Sequence, residues 1–565
     1  MLVGLGVWLT TLIVYSLTKA PTLSFWDCGE FIAAGYILGI PHPPGTPLYI
    51  LIGRIFSILP LSPDIAVRVN YLSVISSSFT ALFGYLAAAR ILRGWMGENR
   101  SILTRVLVYA GSAAGAFFLA FGVTNWNNSV EAEVYGLAMA FMALIFYLTV
   151  VYVQSTGTRQ AERVMLLVVY LGFLGIAVHM TVFVALLVAS LLFIFKGDVD
   201  RKTLFSMAVF IAFELYLVFV LSSQPREIPY YIPVAIVLVL YLFYIFSFER
   251  IPAGRIPIAA GLLVSILPLL GRGLAAIAGG DSAQLSNQTV ATFNGVGLLA
   301  LGVLVLLSVF SLVRRLLDKS RSKRIPLDRA SSLFIVAAGV MVGLLYLPKG
   351  YMVFLIVSGL VATVFLVSFR QLINWPVLIA VGGVSLVVLG VKEFFAGMIV
   401  AAVLILILGL VPRTPGWKSA LMIILCAGAG YSVHVFIPVR SAQQPAINEN
   451  NPSSSLAATI SFLERKQYGS EAMVPRMFKR RAEWENQFGN FQRMGFWHFF
   501  HQQYGLTGPR FVILFLLGVF GIWEVIRRRA DHGLPFLLLI LFCSVGLILY
   551  MNFADGTRQD PLTGR

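Results

Sequence analysis

Two carboxylates and a histidine near the start of the chain are its most concentrated chemistry. Asp27 and Glu30 stand in Phe25-Trp26-Asp27-Cys28-Gly29-Glu30, and His42 follows in Pro41-His42-Pro43-Pro44-Gly45-Thr46-Pro47. Residues three apart share a face if the segment is helical, so Asp27 and Glu30 would present two acids side by side. A carboxylate at a membrane interface can act as a general base toward an acceptor hydroxyl. The bland alternative is a helix N-cap with ordinary interfacial charges ahead of Phe31. Prolines on both sides hold His42 in extended backbone, where its imidazole either faces water or meets a phosphate or a sugar hydroxyl.

Further candidates sit at the edges of apolar segments. Glu133, with Tyr135 beside it, follows Asn125-Trp126-Asn127-Asn128-Ser129 and lies where an unpartnered acid is costly; it either serves a site or decorates a helix start. His179 separates two apolar runs and is open to local satisfaction. Arg54 and Arg68 could pair with a carboxylate or a phosphate, or snorkel. Arg440, after Pro438, offers the planar fork of donors that suits phosphate, with snorkelling again the alternative. There is no Walker loop, HExxH, paired CxxC or GxSxG context. The three cysteines, Cys28, Cys426 and Cys543, are far apart, with neither metal spacing nor a disulfide framework. No metal and no cofactor are expected.

What must position these residues is membrane. The 565 residues are 58% hydrophobic and 12% charged, against roughly 25% charged in soluble domains. The expected class is an all-α polytopic membrane protein. Apolar runs long enough to span, or nearly so, lie near 3–18, 70–90, 105–124, 132–152, 163–178, 180–196, 204–222, 230–247, 256–271, 294–313, 331–347, 350–368, 374–391, 395–412, 419–437, 511–526 and 534–552, for roughly 14–17 spans. The N-terminal run lacks a basic flank and a cleavage site, and reads as a retained span. The formal charge of +17 falls mainly between spans, as in Arg314-Arg315-Leu-Leu-Asp-Lys319-Ser-Arg321-Ser-Lys323-Arg324, which is an orienting bias rather than a nucleic-acid surface. With the N-terminus inside, two large loops fall outside, 19–69 and 438–509. The expected domains are a transmembrane catalytic region 1–437 that includes the first loop, the outer loop 438–509, and two last spans with an outer tail, 510–565. The polar tail points to a longer protein continuing outside.

The opening motif, together with Gly39-Ile40-Pro41-His42-Pro43-Pro44-Gly45-Thr46-Pro47-Leu48-Tyr49, resembles a membrane family whose eukaryotic member is a protein O-mannosyltransferase. Glu133-Val134-Tyr135, His179-Met180-Thr181, Pro438-Val439-Arg440-Ser441 and Gln467-Tyr468-Gly469 look like later blocks of it. The resemblance implies a GT-C-type glycosyltransferase fold and a polyprenyl-phosphate sugar donor. It also implies an acid in the first outer loop as base, which maps onto Asp27 with Glu30 beside it.

The expected activity is therefore transfer of a sugar, such as mannose, from a polyprenyl-phosphate donor to a hydroxyl of an exported protein or glycan. Asp27 and Glu30 are the expected catalytic pair. His42, Arg54, Glu133, Tyr135, His179 and Arg440 are expected to bind substrate, with the 496–501 aromatics as sugar contacts. Partners are the lipid-linked sugar, the acceptor and membrane lipids, with no nucleic acid. The expected location is a bacterial inner membrane with the site facing the periplasm. A transporter or flippase is the main rival, predicting charges near mid-membrane and paired broken helices. A non-catalytic assembly subunit would leave the Asp27, Glu30 and His42 cluster unexplained.

Overall fold

A computed structural model of the chain describes residues 2–96, 101–155, 157–193, 374–380, 394–410, 416–468 and, with interruptions, 487–551. The chain divides into two compact units, and these residues all belong to the one formed by Met1–Asp198, Asn374–Glu471 and Arg481–Arg565. The expected spans at 204–222, 230–247, 256–271, 294–313, 331–347 and 350–368, and most of that at 374–391, lie outside the described residues, as do the basic run at 314–324 and the polar tail.

The described residues are helical, with no strand among them. Among the described residues five helices are long and apolar enough to cross a membrane: Ile65–Trp95, Ile102–Phe121, Val134–Gln154, Trp417–Ser441 and Gly508–Val525. The chain is an all-α polytopic membrane protein. In order, the first elements are α1 (Leu2–Thr18), α2 (Cys28–Ile37), α3 (Pro47–Ile58), α4 (Ile65–Met96), α5 (Ile102–Phe121), α6 (Val123–Ser129), α7 (Val134–Gln154), α8 (Arg159–Ile176) and α9 (Val182–Phe193). After them come α10 (Phe394–Leu410), α11 (Trp417–Tyr431), α12 (Phe436–Ser441), α13 (Leu456–Leu463), α14 (Phe496–Gln502), α15 (Gly508–Arg528) and α16 (Leu547–Met551).

The hub is α4, packed against α1, α3, α5 and α7. Its 32 residues extend about 48 Å at 1.5 Å per residue, more than the roughly 30 Å of hydrocarbon. The helix therefore extends past the run read from sequence as 70–90 at both ends. Small residues let α4 and α7 approach closely: a Cβ on Gly136 would stand 2.9 Å from Ser77 Oγ and 3.2 Å from Ser73 Cα. Lipid supplies no hydrophobic drive between helices, so this intimacy is what holds them. On the other flank of α4, the buried Tyr15 hydroxyl of α1 donates to the Ala120 carbonyl of α5 at 2.7 Å.

The 19–69 segment is more helical than the sequence indicated. Its first helix, α2, begins at Cys28 with Asp27 at the N-cap, and it ends where Leu38 turns left-handed at φ 54°. Its neighbour α3, with Pro47 in its first turn, packs directly on it.

Candidate active site

Asp27 occupies the N-cap of α2 with its side chain exposed and making no capping hydrogen bond. Its carbonyl accepts from Phe31 N at 3.0 Å. The carboxylate thus projects from the open end of the helix, where the unsatisfied N–H groups favour negative charge. Trp26 just before it adopts φ 61° and is 85% exposed.

Glu30, one turn on, is committed to His42. Glu30 Oε1 accepts from the His42 backbone N–H at 2.8 Å, and Oε2 lies 2.5 Å from Nδ1. The His42 turn is held by Gly45 N–H donating to the His42 carbonyl at 2.9 Å, with Gly45 at φ 78°. The imidazole also leans on the Phe31 ring, 5.5 Å between centroids. The Glu30 hydrogen bond raises His42 above its ordinary range against the opposing effect of burial, with the charges of Glu30 and Asp27 assisting. Burial alone would raise Glu30, but the hydrogen bonds from the His42 side chain and backbone bring it below the usual carboxylate range. The two form a half-buried ion pair. Asp27, Glu30 and His42 each place one donor atom within 4.8 Å of the others, so among the described residues this trio is a set able to hold a cation, although Glu30 and His42 already satisfy one another.

Behind Asp27 lies Glu133, at the cap of α7 and 7% exposed. The Cys28 thiol donates to its Oε1 at 3.7 Å, and Ser73 Oγ donates to its carbonyl at 3.2 Å. Burial first, then the charge of Asp27, pushes the Glu133 carboxyl up to about 7. The same burial and the nearby Glu133 charge push the Cys28 thiol up, so it is a donor here and not a nucleophile.

Tyr135 and His179 form a second wall, their rings edge to face at 5.0 Å. Thr181 N–H donates to His179 Nδ1 at 3.3 Å, and the Thr181 hydroxyl lies 3.0 Å from the same nitrogen. Burial, with the charges of Arg465 and His42, pulls His179 down to about 4. The ring is neutral with its proton on Nε2, a fixed donor beside Tyr135. Leu48 N–H donates to the Ala177 carbonyl at 3.1 Å, which ties this wall to the start of α3.

The remaining candidates are placed elsewhere. Arg440 directs Nε to the Leu38 carbonyl at 2.7 Å, Nη2 to the Ile37 carbonyl at 3.0 Å and Nη1 to Gln443 Oε1 at 2.6 Å. It neutralises the C-terminal end of α2, and ten residues of helix put that end about 15 Å from Asp27. Arg54 likewise donates to the Tyr36 carbonyl and lies over the Tyr36 ring at 5.4 Å. Arg68 closes the turn between α3 and α4 on the carbonyls of Ser57, Ser62 and Pro63. The 496–501 aromatics pack on Phe511 and Phe515 of α15, as in Trp497–Phe515 at 5.5 Å and Phe500–Phe511 at 5.5 Å.

One cation of the site was not singled out from sequence. Arg465 directs Nη1 at Met180 Sδ, 3.7 Å away, and its charge bears on both His42 and His179. The segment carrying it is clamped to the first loop. Ile40 N–H donates to the Ile447 carbonyl at 2.8 Å, and Glu449 N–H donates to the Ile40 carbonyl at 3.0 Å, the arrangement of a short parallel bridge. The 19–69 and 438–468 segments therefore form one structure around the acid cluster.

Residues 27–203 match the model of the protein O-mannosyl-transferase TMEM260 N-terminal domain. Over this region the chain is similar to protein O-mannosyltransferases. The protein O-mannosyl-transferase TMEM260 of Mus musculus is 29% identical over 161 residues, which are 28% of this chain and 21% of the mouse protein. The corresponding Dictyostelium discoideum protein is 29% identical over 142 residues, 25% of this chain and 16% of its own length. The matched stretch is thus about a fifth of these curated relatives. No solved structure matches the chain. Asp27, Glu30, His42, Arg54, Glu133, Tyr135 and His179 all fall within the matched region, whereas Arg440 and Arg465 do not.

Proposed function

We propose that the chain is a membrane glycosyltransferase of GT-C type with 14–17 spans. In this reading it moves a sugar from a polyprenyl-phosphate donor to a hydroxyl of an exported protein or glycan. The sugar is mannose, as in the names of the relatives. Asp27 takes the proton of the acceptor hydroxyl, and the freed oxygen attacks the anomeric carbon. The bond from that carbon to the phosphate oxygen breaks, its electron pair leaves with the polyprenyl phosphate, and the configuration inverts. The Glu30–His42 pair fixes the turn and offers a cationic N–H, while Tyr135 and the neutral His179 contact the sugar. Residues 1–437 are the catalytic region, 438–509 the outer loop, and 510–565 the last two spans and tail. No metal or cofactor takes part, and nucleic acid is not a partner.

The site is assigned to the outer face, the periplasmic side of a bacterial inner membrane. Supporting this, Arg90 and Arg93 lie toward the C-terminal end of α4 and Arg105 at the start of α5, the opposite end of α4 from the acid cluster. Basic residues at short connections mark the inner side.

The observation that carries the proposal is the exposed Asp27 carboxylate beside a pre-formed Glu30–His42 pair, inside the region matched to O-mannosyltransferases. The test is transfer from polyprenyl-phosphate mannose by the purified full chain in proteoliposomes. Asp27→Asn is expected to lose about 10²–10⁴-fold, the usual worth of general-base catalysis. Full activity of that variant would refute the assignment.

A further inference from the structure

We propose that Asn70 is a positioning residue for the transfer, holding the segment that delivers the base Asp27, an assignment that rests on the transferase reading above. The Asp27 side chain makes no capping hydrogen bond on α2, so the carboxylate is not fixed by its own helix. Ahead of it Leu23, Phe25 and Trp26 are all exposed, and burial does little to hold the approach. Placement of the base therefore depends on polar contacts to the backbone between α1 and α2.

Asn70, near the start of α4, makes two of them. It is fully buried, and its Nδ2 donates to the Ala20 carbonyl at 3.2 Å and to the Thr22 carbonyl at 3.1 Å. Beside this pair, Ala20 N–H donates to the Val130 carbonyl at 2.8 Å, and Lys19 Nζ lies over the Tyr71 ring at 5.1 Å. The segment is thus pinned to α4 and to the turn that leads to Glu133. Leu23 carries the hold onward to α2: a Cβ on Gly29 would stand 3.3 Å from Leu23 Cδ1. The residue after Thr22 therefore rests on the first turn of α2, two positions past Asp27.

The residue type gives an independent argument. An amide within an apolar helix needs partners, and Asn70 is satisfied on one side only. Its Oδ1 is buried and has no hydrogen-bond partner among the described residues, an exception that calls for a reason. Leucine has nearly the same shape and would strand no polar atom there. What leucine lacks is the pair of N–H donors; a hydroxyl offers one proton and a carboxylate none. A locally unfavourable side chain whose two donors both meet the segment before Asp27 fits a role in placing that segment.

The test is transfer by the purified full chain in proteoliposomes, read as kcat and KM for polyprenyl-phosphate mannose, together with amide exchange and thermal unfolding. Asn70→Leu removes both donors and the orphaned oxygen, and water can reach the exposed Thr22, so its unfolding midpoint should be unchanged or raised. Its kcat is expected to fall about 10–100-fold, the order that a small misplacement of a reacting group costs, with KM for the donor unchanged. The amides of residues 22–27 should exchange faster than in wild type. In an Asp27→Asn background the same substitution should remove nothing more from the residual transfer, because residues acting as a unit are not additive. Asn70→Ala, which cannot clash, should show the same loss and the same dependence on Asp27.

If both Asn70 variants transfer as wild type does, or keep wild-type exchange over 22–27, the Asn70 assignment is overturned and the transferase reading survives. An equal loss of kcat with and without the Asp27 carboxylate would overturn it too, since Asn70 would then not act through the base. So would a raised donor KM at unchanged kcat, which would make the segment a donor contact. Wild type that transfers no mannose would overturn the transferase reading, and this assignment with it.

Discussion

Gly39→Ala tests whether the two outer segments act as one site. Gly39 lies between the left-handed end of α2 and the His42 turn, with no positive φ of its own, so the substitution is purely steric. The new Cβ would stand 2.9 Å from Ile447 Cβ, 3.1 Å from the Ile447 carbonyl oxygen and 3.4 Å from Ala34 Cα. Carbon atoms rest about 3.5–4.0 Å apart, so Ile447 must retreat by about 0.6–1.1 Å. The retreat falls on the two hydrogen bonds that form the clamp, Ile40 N–H to Ile447 and Glu449 N–H to Ile40. Each is worth about 0.5–1.5 kcal/mol net, so opening the clamp becomes easier by about 1–3 kcal/mol. At 1.36 kcal/mol per decade the amides of Ile40 and Glu449 should exchange with deuterium about 5–150-fold faster. Amides in the middle of α7 should keep their protection. Transfer should fall as well, since the clamp holds the 447–449 segment against the residues leading into the His42 turn. Wild-type exchange at Ile40 and Glu449 would mean that Ile447 yields without undocking, and the argument for a clamped site would be refuted.

Two further outcomes follow from the same cluster. Glu30→Gln should destabilise the protein in a pH-dependent way. The raised His42 contributes stability that is full below its unfolded value of about 6.5 and is lost as pH rises through the folded one. The lowered Glu30 contributes stability present above about 4.3 and lost as pH falls through its folded value. The gap between wild type and variant in unfolding midpoint should therefore be widest between about pH 4.3 and 6.5, and a gap independent of pH would contradict the ion pair. Chelation with EDTA should leave transfer intact, since Glu30 and His42 already satisfy each other; activity lost to EDTA and restored by Mn²⁺ would instead assign the trio to a cation.

What was legible in the sequence was whatever one stretch of chain carries by itself. The long apolar runs became α1, α4, α5 and α7, because lipid demands continuous helices and the composition states as much. Asp27, Glu30 and His42 were legible because one short continuous stretch, read with helix and proline rules, brings them together. The helix α3 was not, since Pro47–Ile58 is too short to span and follows a turn-rich stretch. The two arginines differ for a tertiary reason. Arg440 looked available because nothing near it in sequence opposes it, yet its partners Ile37 and Leu38 lie some 400 residues away. Arg465 looked ordinary in Leu463-Glu464-Arg465-Lys466, a stretch with alternating charges. The one local signal was its position just past a helix end, where glycine is the default, followed two residues later by a block already resembling the family. One of its contacts lies far away in the chain, on Met180 beside His179, and no local pattern announces that contact.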